Sequence, residues 1–219
     1  MPAEMIVALV KSCLLVFSGL FPIVNPLGTS PIFLSLTSGY SSEARTILSR
    51  KIALNSFWLL TGSMLVGTHI LAFFGISIPI VQVGGGLVVI YAGWSVLQGE
   101  SEPTETPAKK NITQRDIANR AFYPLTLPLT VGPGSISVAL TLGATEIHRS
   151  DLLRLIAALV GPALVALSVF LSYRFAERLA NLLGETAMNV IVRLSSFILL
   201  CIGVQIVWDG VRTLLNSAH

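Results

Sequence analysis

Five long stretches of the chain carry no Asp, Glu, Lys or Arg: residues 12–42, 52–99, 121–145, 155–173 and 194–208. One membrane crossing needs about 20 apolar residues, so 52–99 holds two crossings and each other stretch holds one. The pattern predicts six transmembrane helices, near 5–37, 52–73, 79–97, 121–143, 155–173 and 190–208, in an all-α polytopic membrane protein. The first is too long for one straight crossing. As a single helix it would reach roughly 50 Å against a hydrocarbon thickness of about 30 Å, and tilt absorbs only part of the excess. Asn25-Pro26-Leu27-Gly28 lies in its middle and predicts two half-helices. Pro26 suits the first position of a restarting helix, and Thr29 or Ser30 would cap its amides.

A related break recurs 106 positions later, at Gly132-Pro133-Gly134-Ser135. Pro22 with Pro128, Gly28 with Gly134, Thr29 with Ser135 and Leu34 with Leu140 share that offset; Gly75 matches Gly184 at 109 and Gly93 matches Gly203 at 110. A slowly drifting offset with preserved order is what a few loop insertions produce in a duplicated unit. Three spans per half make the second half enter the bilayer from the opposite side, so two inverted three-helix repeats are expected, each with a broken first helix. The chain is then a single transmembrane domain over 1–219, with repeats at 1–97 and 121–219. Residues 98–120, rich in Pro, Thr, Glu and Lys, read as a cytoplasmic linker between them.

Composition agrees. The residues are 53% hydrophobic and only 11% charged, with a mean hydropathy of +0.78; a soluble protein carries about 25% charge. The net charge of +3 does not imply nucleic acid, because the basic residues sit between spans, where they set topology. Arg45, Arg50, Lys51, Lys109, Lys110, Arg115, Arg120, Arg174, Arg178 and Arg193 fall on one side, against Lys11, Arg149, Arg154 and Arg212 on the other. That split predicts the first group in the cytoplasm and both termini outside. Lys11 interrupts the first apolar stretch, so no signal peptide is expected. Cys13 and Cys201 lie in apolar spans and read as packing residues.

A broken helix in hydrocarbon persists only where protein, water or ligand takes up its freed backbone groups. A half-helix N-terminus attracts an anionic group and the carbonyls of the preceding half attract a cation or ammonium, so two facing breaks suit a small zwitterion. Asn25, Gly28, Thr29 and Ser30 would form one wall of a substrate site and Gly132, Gly134 and Ser135 the other, with Pro26 and Pro133 keeping the helices broken. Arg193, at the start of the last span, is read either as a carboxylate partner or as a snorkelling interfacial charge. His69 reads as structural, Asp209 as an interfacial charge, Gln205 as a helix–helix hydrogen bond and Gly84-Gly85-Gly86 as a close-packing element. No Asp or Glu lies deep in a span, so a coupling proton or sodium ion would have to use carbonyls, His69 or the substrate's own charge. No metal cluster, cofactor motif or catalytic set is evident, and no enzyme is expected.

Asn25-Pro26-Leu27-Gly28-Thr29-Ser30-Pro31-Ile32-Phe33 together with Pro124-Leu-Thr-Leu-Pro128-Leu-Thr-Val-Gly132-Pro133-Gly134 resembles the MarC family of bacterial membrane proteins. Gly84-Gly85-Gly86-Leu87 and Arg193-Leu194 leading to Gln205 and Gly210 are similar as well; Ser196 departs, where the family often has glycine. The resemblance covers the chain outside the linker. It implies a six-span protein of the bacterial inner membrane, related to small neutral amino acid transporters and more distantly to amino acid exporters of the LysE type. It makes glycine, alanine or serine the expected substrate. The expected function is a secondary transporter working by alternating access, with the lipid bilayer as its surroundings and a homo-oligomer left open. The rival readings are another small-solute exporter, a channel or a non-transporting scaffold.

Overall fold

The computed structural model describes residues 3–98, 119–145 and 151–217. The linker expected over 98–120 thus falls almost wholly outside the described residues. All described elements are helical: α1 (Ala3–Val24), α2 (Pro26–Leu36), α3 (Ser42–Phe73), α4 (Ile78–Gln98), α5 (Ala121–Thr130), α6 (Pro133–Thr145), α7 (Asp151–Arg174) and α8 (Ala176–Ser217). Five helical stretches are long and apolar enough to cross a membrane, and α5 with α6, bent by 70°, makes a sixth only if the bent pair counts as one span. The expected straight crossing near 121–143 is corrected accordingly. The reason lies in the sequence: proline follows both Tyr123 and Leu127, and a residue before proline is pushed out of the helical region.

The packed core joins α1, α2, α3, α5, α6 and α7. Val16, Leu20 and Phe33 meet Leu48, Ile52, Leu60, Val165 and Val169, all with no exposed surface. Thr61 on α3 donates to the Ala158 carbonyl of α7 at 3.1 Å. At one end of the bundle the Arg45 guanidinium donates to Glu177 at 2.7 Å and to the Thr37 carbonyl at 3.1 Å. The loops at 39–51 and 174–193 therefore share that end.

Helix α4 packs chiefly on α8, and the pair attaches to the core where α6 meets α4 and α2 meets α8. Small residues let the two backbones touch, the usual device where lipid removes any hydrophobic drive between helices. A Cβ on Gly93 would lie 2.9 Å from both the Ser196 carbonyl oxygen and the Leu200 amide nitrogen; one on Gly203 would lie 3.0 Å from Gly86 O and 2.8 Å from Ile90 N. The contacts run antiparallel and come as mates, since Gly86 and Ser196, Ile90 and Leu200, and Gly93 and Gly203 are each 110 positions apart. Ser196 keeps the close packing because Gly93 supplies the missing glycine, while its own hydroxyl turns back to Val192 O at 2.7 Å. Ahead of the two partners, Gly75 and Gly184 both have left-handed φ, 68° and 75°. Gln205 donates to Asp209 one turn along its own helix at 3.0 Å, which replaces the expected helix–helix bond.

Of the expected glycine element, Gly86 faces the α8 backbone and Gly85 faces Ser137 of α6, whereas nothing lies within 4 Å of a Cβ on Gly84. In thermal melts of the purified protein, Gly86→Ala should cost about 1–3 kcal/mol through overpacking. Gly84→Ala should leave stability unchanged or raise it by up to about 1 kcal/mol through helix propensity. Equal effects at both positions would contradict the packing described.

Candidate functional site

The first break is one residue long. Asn25 sits in the left-handed region (φ 47°, ψ 57°) between α1 and α2, a conformation its short amide side chain tolerates better than most. Its N–H donates to Phe21 O at 2.9 Å, closing α1, and its carbonyl accepts the Thr29 N–H at 3.0 Å, opening α2. The cap is Asn25 itself: its Oδ1 accepts the Gly28 N–H at 3.1 Å. A side chain on Gly28 would collide with that amide, so glycine is what lets Asn25 fold over the helix end. The expectation that Thr29 or Ser30 caps α2 is corrected, because both hydroxyls turn backward as donors, to Asn25 O at 3.0 Å and to Leu27 O at 2.8 Å.

The second break is longer and begins before the glycines. Tyr123 (φ −125°, ψ 126°) and Leu127 (φ −107°, ψ 127°) are extended, and Pro124 and Pro128, which follow them through cis peptide bonds, offer no N–H. Carbonyls that an ordinary helix turn would satisfy are met instead by hydroxyls five residues on: Thr126 donates to Ala121 O at 2.6 Å and Thr130 to Leu125 O at 2.7 Å. Both threonines are buried, and Asn55 of α3 adds a 3.3 Å bond to Thr126. Helix α6 then starts at Pro133, with Ile136 N–H donating to Gly132 O at 3.1 Å. Ser135 does not cap it; the hydroxyl donates back to Gly132 O at 2.9 Å.

One side chain ties the two breaks together. The Tyr173 hydroxyl of α7 donates to Thr29 Oγ1 at 3.0 Å and lies 2.9 Å from Thr130 Oγ1. Its ring stacks on Phe33 of α2, with centroids 4.5 Å apart and planes 7° from parallel, and only 1% of the residue is exposed. A continuous chain of hydroxyls thus runs from Asn25 O in the first break to Leu125 O in the second.

Both breaks face one cavity of about 660 Å³, bounded by α1, α2, α4, α5, α6 and α8. Of the residues expected from sequence, Asn25, Thr29, Gly132, Pro133, Gly134 and Ser135 line it; Pro26, Gly28 and Ser30 are buried beside it and do not. Gly134 is pressed against Val89 and Gly85 of α4, so it serves close approach as well as lining. Arg193 is exposed on α8 outside the cavity, and His69 is exposed on α3. No charged side chain lines the cavity, and among the described residues no group of three or more His, Cys, Asp or Glu could hold a metal. Sequence reasoning passed over Thr126, Thr130 and Tyr173. The spacing of Pro124-Leu-Thr126 and Pro128-Leu-Thr130 was a signal for the first two; Tyr173, one hydroxyl in an apolar run, gave none.

The sequence pattern of the family described as MarC family integral membrane protein matches residues 10–215. The inner membrane protein MarC of Citrobacter koseri is 33% identical, over 91% of this chain and 94% of its own. The membrane protein YvbG of Bacillus subtilis is 32% identical, over 90% and 92%. A membrane protein of Aquifex aeolicus is 32% identical, over 91% and 92%. No solved structure matches the chain.

Tyr173→Phe removes the hydroxyl and keeps the stack on Phe33. Single interhelical hydrogen bonds in membranes contribute about 0.6 kcal/mol, at most about 1.7, and the loss should fall in that range. In a double-mutant cycle, Thr29→Val should cost less in the Tyr173→Phe background than in the wild type. Additive losses would show that the bridge does not join the two residues.

Proposed function

Because the chain belongs to the MarC family of integral membrane proteins, we propose that it is a secondary transporter moving a small neutral amino acid across the bacterial inner membrane by alternating access. The observation that carries this reading is the convergence of two helix breaks on one cavity without a charged side chain. A net-neutral solute with separated charges suits such a place. The end of α1 reaches the cavity at Ile23 and Val24, and the start of α6 reaches it at Pro133, Gly134 and Ser135. Helix C-termini carry partial negative charge and N-termini partial positive charge, so the ammonium belongs by α1 and the carboxylate by α6. Asn25, Thr29 and Ser135 add neutral hydrogen bonds. Arg193 takes no part in this arrangement.

The mated glycine contacts between α4 and α8, and the paired left-handed glycines ahead of them, support an inverted repeat whose pseudo-twofold axis passes between those helices. Alternating access would then exchange the roles of the two halves around the cavity. The ten-to-four division of basic residues, with two of the three basic loops joined by Arg45 and Glu177, favours that end as cytoplasmic and both termini as periplasmic. A coupling proton or sodium ion would have to bind through carbonyls and hydroxyls.

Uptake of labelled alanine into proteoliposomes, with and without proton or sodium gradients, tests the reading. Wild-type protein should give saturable flux. Ser135→Ala and Asn25→Ala should each raise the half-saturating concentration or lower flux about tenfold, the scale of one charge-assisted hydrogen bond of about 1.5–3 kcal/mol. Flux equal to that of empty vesicles would end the amino acid assignment; ionic currents far above carrier turnover would mark a channel.

A further inference from the structure

The cavity is far larger than glycine, alanine or serine requires, and its walls are unequal. Its volume of about 660 Å³ falls in the range of roughly 300–1,000 Å³ that holds drug-sized ligands. It extends along α2 from Asn25 to Leu36, about 16 Å at helical rise. The hydroxyls and the helix ends suited to a zwitterion gather at the breaks. Beyond them run Ile32 and Leu36 of α2, Val88, Ala92 and Val96 of α4, and Leu199 of α8. Ser35, Tyr91 and Ser95 are the only polar side chains along that stretch, and no charged side chain reaches it.

From this division we infer that the cavity contains a side-chain subsite for bulky apolar groups, so that the preferred substrate is an amino acid of the leucine, valine or phenylalanine class. The inference rests on the transport reading above and deepens it by naming the substrate class. The zwitterionic head engages the two breaks, where Asn25, Thr29 and Ser135 stand, and the apolar side chain lies along the α2–α4 wall toward Val96. Each methylene taken from water into such a wall contributes roughly a fourfold gain in affinity. Leucine has three more carbons than alanine, which gives room for a preference well above tenfold. Acidic and basic side chains would be left in the subsite without a counter-charge and are rejected. Serine would place its hydroxyl beside an apolar wall and gains nothing over alanine.

The test is competition in proteoliposomes of phosphatidylethanolamine and phosphatidylglycerol, preloaded with unlabelled alanine and supplied with labelled alanine outside. Glycine, serine, valine, leucine, phenylalanine, aspartate and lysine are the competitors. Leucine and phenylalanine should halve alanine flux at concentrations at least about tenfold below glycine, with aspartate and lysine inactive. Ala92→Phe fills the wall from a position outside the packed core. It should raise the leucine concentration needed by about tenfold or more and leave the glycine value within about twofold. Flux in which glycine or serine competes as well as leucine overturns the subsite and leaves the transport reading standing. Leucine competition unaffected by Ala92→Phe also overturns it, because the wall would then face lipid. An absence of flux for every amino acid overturns both.

Discussion

The bond network around the Tyr173 hydroxyl is the constraint on which the rest depends. Backbone N–H and C=O groups left unpaired in hydrocarbon cost several kcal/mol each, and this chain interrupts its helices twice within the bilayer. At the first break Asn25 does most of the repair, accepting the Gly28 N–H through its side chain and closing both flanking helices through its backbone. At the second, Thr126 and Thr130 stand in for amides that Pro124 and Pro128 displace. Tyr173 then joins the two repairs into one unit through Thr29 and Thr130. The breaks are held together by the groups that make each of them tolerable.

That unit lies at a seam. On one side is the core of α1, α3 and α7, packed by fully buried aliphatic side chains. On the other is the α4–α8 pair, held by backbone contact across Gly86, Gly93 and Gly203. The half-helices α2 and α6 bridge the two sides, each meeting one member of the pair. The cavity opens between them, so any sliding of pair against core would change its exposure. A seam with small residues on one face and broken helices on the other is a physical basis for the alternating access proposed above.

Much of this was legible in the sequence. Charge-free stretches located the spans because charges are costly in lipid, and the over-long first stretch with Asn25-Pro26 foretold a break found at that residue. Gly75 and Gly184 marked turns because only glycine adopts their φ cheaply. Other features were not legible, each for a physical reason. Which hydroxyl caps a helix depends on rotamers, and Thr29, Ser30 and Ser135 proved to be donors to carbonyls behind them. The wide winding of α5 arises from prolines acting four residues apart, an effect larger than the single Gly-Pro-Gly kink suggested. Tyr173 becomes important only through contacts distant in sequence, with Thr29 at a separation of 144 residues. Arg193 drew attention as a charge at a span's edge, yet the fold turns it away from the cavity.

The central claim is that residues from the two breaks border a single site. Thiol labelling of Thr29→Cys and Ser135→Cys, each in a background lacking Cys13 and Cys201, tests it most directly. A neutral amino acid should slow labelling at both positions with the same half-maximal concentration. Protection at one position only, or at neither while transport persists, would contradict the account.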